Sequence, residues 1–164
     1  MGGMADRAAF EGFYREHLSR VVRGCTLVLL DQSEAEDVAA EAFARLWSKW
    51  GQIQSDDHAG GFVFKTAMRL CARRARRREL IGRVPEESAP DEIGRSMDRH
   101  EILRALGHLP VRQRQAVVLR DWAGMETGEV AKLLGMGKST VRVHLARGRE
   151  ALRTALREEG ANHA

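Results

Sequence analysis

The sequence predicts an all-α protein, on three observations. Apolar residues recur at three- and four-residue intervals along most of the chain, no stretch of any length alternates apolar with polar residues, and proline occurs three times in 164 residues. Hydrophobic residues make up 43% and aromatic residues 5%. That is enough for one ordinary domain or two small helical ones with small cores.

In order along the chain, Phe10, Phe13, Tyr14, Leu18 and Val21 define a first helix. The stretch "DQSEAED" marks the next start, with Ser33 as the expected N-cap and Glu34, Glu36 and Asp37 crowding the first turn, where the helix dipole favours anions. Val38, Ala42, Leu46 and Trp47 carry that helix inward, Trp47 is expected in the core, and Trp50 is expected partly exposed near its end. "SDDHAGG" reads as a loop by composition. "FVFKTAMRLCARRARRR" resumes helical spacing through Phe62, Thr66, Leu70 and Cys71. A linker follows, "ELIGRVPEESAPDEIGRSMD", with two of the three prolines and little apolar content. These features divide the chain into a helical domain over residues 7–78, a linker over 79–98 and a second, four-helix domain over 99–157. In the second domain, Ile102, Leu103, Leu106 and Leu109 form a helix that stops at Pro110, and a further helix runs through Ala116, Val117 and Leu119.

Net charge is only +4, but its distribution is uneven. Lys65, Arg69, Arg73, Arg74, Arg76, Arg77, Arg78 and Arg83 stand against the single acid Glu79, whereas Asp31, Glu34, Glu36, Asp37 and Glu41 form a block without a base. Separate basic and acidic surfaces imply a polyanion on one side and a different partner on the other. Cys25 and Cys71 lie far apart in apolar patterns, outside any C-x-x-C pair, and read as reduced core residues. The six histidines, His17, His58, His100, His108, His144 and His163, lack metal-ligand spacing, and His58 beside Asp56 and Asp57 reads as a solvated loop pair. The expectation is therefore a non-enzyme without metal, cofactor or small-molecule substrate. An apolar leader or membrane-length run is missing from the sequence, so a soluble, cytoplasmic protein without membrane contact is expected.

The stretch "GEVAKLLGMGKSTVRVHLARGRE" has the pattern of a helix-turn-helix. Ala131 is small where the two helices cross, Gly135 tolerates the positive φ of a sharp turn, and Val141 faces back to the core. Val130, Leu134 and Leu145 complete the apolar wedge, with Thr127 as the expected cap and Glu129 in the first turn. The outward face of the second helix is then Lys138, Ser139, Arg142, Val143, Ala146 and Arg147, polar and basic groups able to reach base edges and phosphates in a major groove.

The longer run "LRALGHLPVRQRQAVVLRDWAGMETGEVAKLLGMGKSTVRVHLARGREALR" resembles domain four of bacterial sigma factors. The matching features are Leu109 with Pro110, Arg112 with Arg114, the apolar helix from Val117 ending in Leu119 and Arg120, Gly124, and the helix-turn-helix. "SEAEDVAAEAFARLW" and "GGFVFKTAMRLCARRARRRE" resemble the two parts of sigma domain two, one docking on polymerase and one melting and reading the downstream element. Both domains in this order, joined by a short linker, make the chain over residues 7–157 similar to the extracytoplasmic-function (group IV) sigma factors.

The resemblance implies three surfaces. Asp37, Glu41, Arg45 and Trp47 would dock on core RNA polymerase. Phe62, Phe64, Lys65, Arg69, Arg73, Arg74, Arg76 and Arg77 would hold the separated promoter strand. Arg120, Lys138, Ser139, Thr140, Arg142, Val143, Ala146 and Arg147 would contact the upstream promoter DNA. An anti-sigma factor is a further implied partner. The chain departs from the family pattern at Ala40, Phe62, Arg69 and Arg73, where glutamine, tryptophan, asparagine and an aspartate-like residue are usual. Phe62 still offers a stacking face, while Arg69 and Arg73 supply charge for phosphates and remove groups suited to reading a flipped base. Two other readings stay open on the sequence: a helix-turn-helix regulator whose first half senses a signal or dimerises, and a sigma-like protein that docks without melting promoters.

Overall fold

The computed structural model describes residues 4–53, 55–82 and 97–162. Among these residues there are seven α-helices and no strand, as the periodicity predicts. Helix α1 spans Met4–Leu29, α2 Gln32–Trp47 and α3 Asp56–Leu80, with a 3-10 turn at Trp50–Gln52. Helix α4 spans Met97–Gly107, α5 Val111–Val117, α6 Thr127–Leu134 and α7 Lys138–Asn162. Helices α1, α2 and α3 pack on one another through Val21, Val28, Val38, Phe43, Leu46, Val63 and Met68, and helices α4 to α7 pack through Leu106, Leu109, Val117, Val130, Val141 and Leu145. Among the described residues no helix is long and apolar enough to cross a membrane.

Several helix boundaries differ from the sequence expectation, each for a local reason. Leu30 takes a left-handed φ of 58°, turning the chain sharply between α1 and α2. Asp31 then sits in extended conformation, and its carboxylate accepts a hydrogen bond from the Glu34 amide at 3.0 Å. Asp31, and not Ser33, is therefore the cap. The stretch expected as a loop, "SDDHAGG", is the first turn and a half of α3: Ser55 caps it by accepting from the His58 amide, and Asp56 and Asp57 lie at the positive end of the helix dipole. Glu126, and not Thr127, precedes α6, with its own amide donating to the Glu129 carboxylate at 3.1 Å. Of the linker expected over 79–98, Glu79 and Leu80 belong to α3 and Met97 opens α4, while residues 83–96 lie outside the described residues.

Trp47 is 47% exposed, contrary to its expected core position. Leu46 sits near the middle of the buried face made by Ala35, Val38, Ala39, Ala42 and Phe43 and is fully buried, while Trp47, about 100° further round, falls outside that face. Trp47 packs the edge of Phe10 instead, at 4.8 Å between ring centroids, and Trp50 is half-buried against Phe10 and Phe13.

The helix that follows Pro110 changes pitch. After α5 the backbone widens into a π turn at Val118–Trp122, closed by the Ala123 amide on the Val118 carbonyl at 2.9 Å. Ala116, Val117, Val118 and Leu119 are all buried, a run too wide for one helical stripe. The segment is covered on two sides, by α7 and by α1, and the wider turn lets consecutive residues face both.

The Cys25 and Cys71 thiols are free and buried, one on α1 and one on α3. Burial, with Cys25 beside it, pushes the Cys71 thiol well up, so it stays protonated and unreactive at neutral pH.

Candidate nucleic-acid interface

Helices α6 and α7 have the helix-turn-helix geometry that the sequence implies. Gly135 ends α6 with φ 65°, in the left-handed region where a side chain would be strained. Val130, Ala131, Leu134, Val141 and Leu145 are buried in the wedge between the helices. Lys138, Ser139, Thr140, Arg142, Val143, Ala146 and Arg147 are exposed along the start of α7. Arg142 and Arg147 are in no ion pair among the described residues, so both guanidinium forks are open to an incoming acceptor. Lys138 bends back over Gly128 at the start of α6, and Arg120 is half-buried in the π turn.

Arg149, two residues further along α7, behaves differently. Its Nε and Nη2 donate to the two oxygens of Asp121 at 2.8 and 2.6 Å, tying α7 to the π turn. The bonded guanidinium holds the Asp121 carboxyl below its usual range. Gly148 gives the same crossing its closeness, since a Cβ there would stand 2.8 Å from Val117 Cγ2 and 3.1 Å from the Gln113 carbonyl. The sequence shows Arg149 only as one of several bases on the helix. Its partner lies 28 positions away, beyond any periodic pattern.

The basic run on α3 divides by face. Lys65, Arg69, Arg73 and Arg77 recur every fourth residue and are exposed in one stripe. Arg74, Arg76 and Arg78 are half-buried and paired: Arg74 with Glu41 at 3.5 Å, Arg76 with Glu79, and Arg78 with Asp31 at 3.4 Å and with Glu34. Arg78 also donates to the Leu29 carbonyl at 3.1 Å, capping the C-terminal end of α1. The acidic and basic blocks are thus in part each other's partners and not two independent surfaces, a correction to the reading from charge distribution.

Phe62 is half-buried with the Lys49 ammonium 5.5 Å from its ring centre. Phe64, expected to face a nucleic-acid strand, is only 8% exposed. Arg20 lies 4.9 Å over its ring and Trp122 stands 6.1 Å away. On α2, Asp37 and Arg45 are exposed on one stripe with Glu41, whose carboxylate holds Arg45 at 2.7 Å.

A helical protein with a clustered basic stripe in one half and an open helix-turn-helix in the other is of the class that binds DNA through two elements. The comparisons sharpen that class. The model of Sigma-70 region 2 matches residues 13–80, and that of Sigma-70 region 4 matches residues 99–152. The chain is 30% identical over 165 residues to the ECF RNA polymerase sigma factor SigL of Mycobacterium tuberculosis, covering 95% of this chain and 93% of that one. It is 29% identical over 157 residues to the RNA polymerase sigma-E factor of Streptomyces coelicolor, covering 93% and 89%. In fold it is similar to the sigma factor RpoE of Bartonella quintana, solved in complex with the anti-sigma factor NepR, with a TM-score of 0.69 at 20% identity over 91% of this chain and 97% of that one. The chain belongs to the ECF RNA polymerase sigma factors, transcription-initiation factors that act with core RNA polymerase on promoter DNA.

Proposed function

We propose that this protein is a cytoplasmic group IV sigma factor in which three surfaces divide the work, within one domain built on α1 to α3 and a second built on α4 to α7. The stripe of Asp37, Glu41 and Arg45, together with the exposed Trp47 on another side of the helix end, docks on core RNA polymerase. Arg142, Val143, Ala146 and Arg147 read base edges of the upstream element, with Arg120, Lys138, Ser139 and Thr140 gripping backbone phosphates. Lys65, Arg69, Arg73 and Arg77, with Phe62 and the flanking Arg74 and Arg76, hold the separated strand. The chain itself performs no catalysis; trapping an extruded base offsets the few kcal/mol of unstacking that melting requires. An anti-sigma factor, such as the Bartonella neighbour is bound to, is a further expected partner.

The observation that carries this reading is the open outer face of α7, with Arg142 and Arg147 exposed and in no ion pair among the described residues while Val141 and Leu145 are buried behind them. The test is promoter-dependent initiation by purified core polymerase with and without the protein. Specific initiation that requires the protein is expected; core binding without initiation would favour a sigma-like protein that docks and does not melt.

A further inference from the structure

Asp121 stands between two arginines. It follows Arg120 directly on the π turn, where Val118 and Leu119 are buried, Arg120 is half-buried and Asp121 is exposed. Arg149 reaches it from α7 with one edge of its guanidinium, Nε to one oxygen at 2.8 Å and Nη2 to the other at 2.6 Å. The Arg149 hydrogen bonds hold the Asp121 carboxyl below its usual range, and the charges of Arg149 and Arg120 add to them against the opposing effect of burial. Asp121 is therefore ionised at neutral pH, with two cations near enough to feel its charge. Only one of the two is paired. Arg120 is in no ion pair among the described residues.

We propose that Arg149 is a positioning residue: by filling both oxygens of Asp121 it keeps Arg120 free for a backbone phosphate of the upstream duplex. This rests on the reading of Arg120 as a phosphate grip. A bare carboxylate next to Arg120 in sequence would offer the same pair of anionic oxygens that a phosphate does. It would also hold the advantage of a tethered partner, since an intramolecular contact costs no association. The bidentate fork from α7 removes that competitor: it answers the Asp121 charge and fixes the carboxylate plane. An exposed ion pair of this kind adds only modestly to stability, so orientation is its larger effect. Arg149 also lies seven residues beyond Arg142, two turns and about 10 Å further on the same side of α7. Its position alone would rank it with Arg142 as a DNA contact. The structure assigns it elsewhere, because the two donors it would turn to a phosphate are already on Asp121.

The experiment measures binding of the full chain to a dye-labelled DNA duplex of arbitrary sequence across a salt series, because a phosphate contact acts on any sequence. Circular dichroism checks that each variant keeps its helices. Arg120→Ala is expected to weaken binding about tenfold and to lower the log–log salt slope by about 0.9, the share of one duplex phosphate. Arg149→Ala is expected to do the same, because the bared Asp121 captures Arg120. Asp121→Asn is expected to stay within about twofold of wild type with the slope intact, since no acid is left to compete with the phosphate. Adding Asp121→Asn to Arg149→Ala restores both affinity and slope. A merely structural tie would give another pattern, in which Asp121→Asn loses as much as Arg149→Ala and the double variant recovers nothing; that result overturns the proposal. A slope lost in Arg149→Ala that Asp121→Asn does not restore, while Asp121→Asn alone binds as wild type, overturns it too, and makes Arg149 a phosphate contact in its own right. If Arg120→Ala binds as wild type does, the phosphate-grip reading fails and the positioning proposal with it. If Arg120→Ala weakens binding while Arg149→Ala does not, only the positioning proposal fails.

Discussion

Replacing Gly148 by alanine sets two effects of opposite sign against each other. In the middle of a long exposed helix, glycine to alanine stabilises by about 1 kcal/mol, because alanine loses less backbone entropy on folding. At Gly148 the new methyl would stand 2.8 Å from Val117 Cγ2, 3.1 Å from the Gln113 carbonyl oxygen and 3.3 Å from Gln113 Cβ, where carbon atoms in contact prefer about 3.5–4.0 Å. None of these neighbours yields easily. Valine in a helix is confined to essentially one χ1 rotamer, and a backbone carbonyl moves only with its helix. Relief requires α5 and α7 to separate, and overpacking of this kind costs about 1–3 kcal/mol, so the expected net is a loss of about 1 kcal/mol. Gly12 of α1 supplies the opposite case, since nothing lies within 4 Å of a Cβ built there. Gly12→Ala is expected to stabilise by about 1 kcal/mol. Urea unfolding followed by circular dichroism measures both, and the two variants should differ by about 2 kcal/mol with wild type between them. A Gly148→Ala protein as stable as Gly12→Ala would refute the close crossing of α5 and α7 on which the position of α7 depends.

Three further outcomes are expected. Because Arg149 holds the Asp121 carboxyl below its usual value, the pair's contribution to stability is complete above about pH 4, the unfolded value, and is lost as pH falls through the lower folded one; the melting-temperature gap between wild type and Asp121→Asn should therefore close in acid, and a gap constant from neutral pH down through that window would count against the ion pair. Arg142→Ala and Arg147→Ala should narrow the preference for the cognate upstream duplex over scrambled duplex, by about 1–3 kcal/mol if each makes a bidentate base contact, whereas Arg120→Ala should weaken both equally; parallel losses in all three would make α7 a phosphate grip. Replacing Arg69, Arg73 and Arg77 by alanine should lower the log–log salt slope of single-strand binding by about 0.7 for each phosphate no longer neutralised, and an unchanged slope would mean that the stripe only meets solvent.

The helical class, the order of the helices and the inner face of the helix-turn-helix follow from the sequence without any knowledge of packing. Ala131, Gly135 and Val141 were legible because their demands are local: a close crossing, a left-handed turn and an inward face each select a residue type at a spacing set by helix geometry. Capping was legible only approximately, because Asp31 and Ser33 offer the same chemistry within two residues and backbone conformation chooses between them, while at α6 the Glu126 amide donates to the Glu129 carboxylate in place of a Thr127 side-chain cap. Which charges are free is settled only when the helices pack. Arg78 and Arg73 stand in the same basic run, yet Arg78 is taken up by Asp31, Glu34 and the Leu29 carbonyl, the first and last of them 47 and 49 positions away, while Arg73 is open to solvent. The π turn, the buried Arg114 bonded to a carbonyl 86 residues earlier and the covering of Phe64 by Trp122 likewise arise where distant segments meet. Periodicity reports the face a residue presents along its own helix. It carries no information about what chain packing brings opposite that face, and that partner decides whether an arginine caps a helix, pairs with an acid or waits for a phosphate.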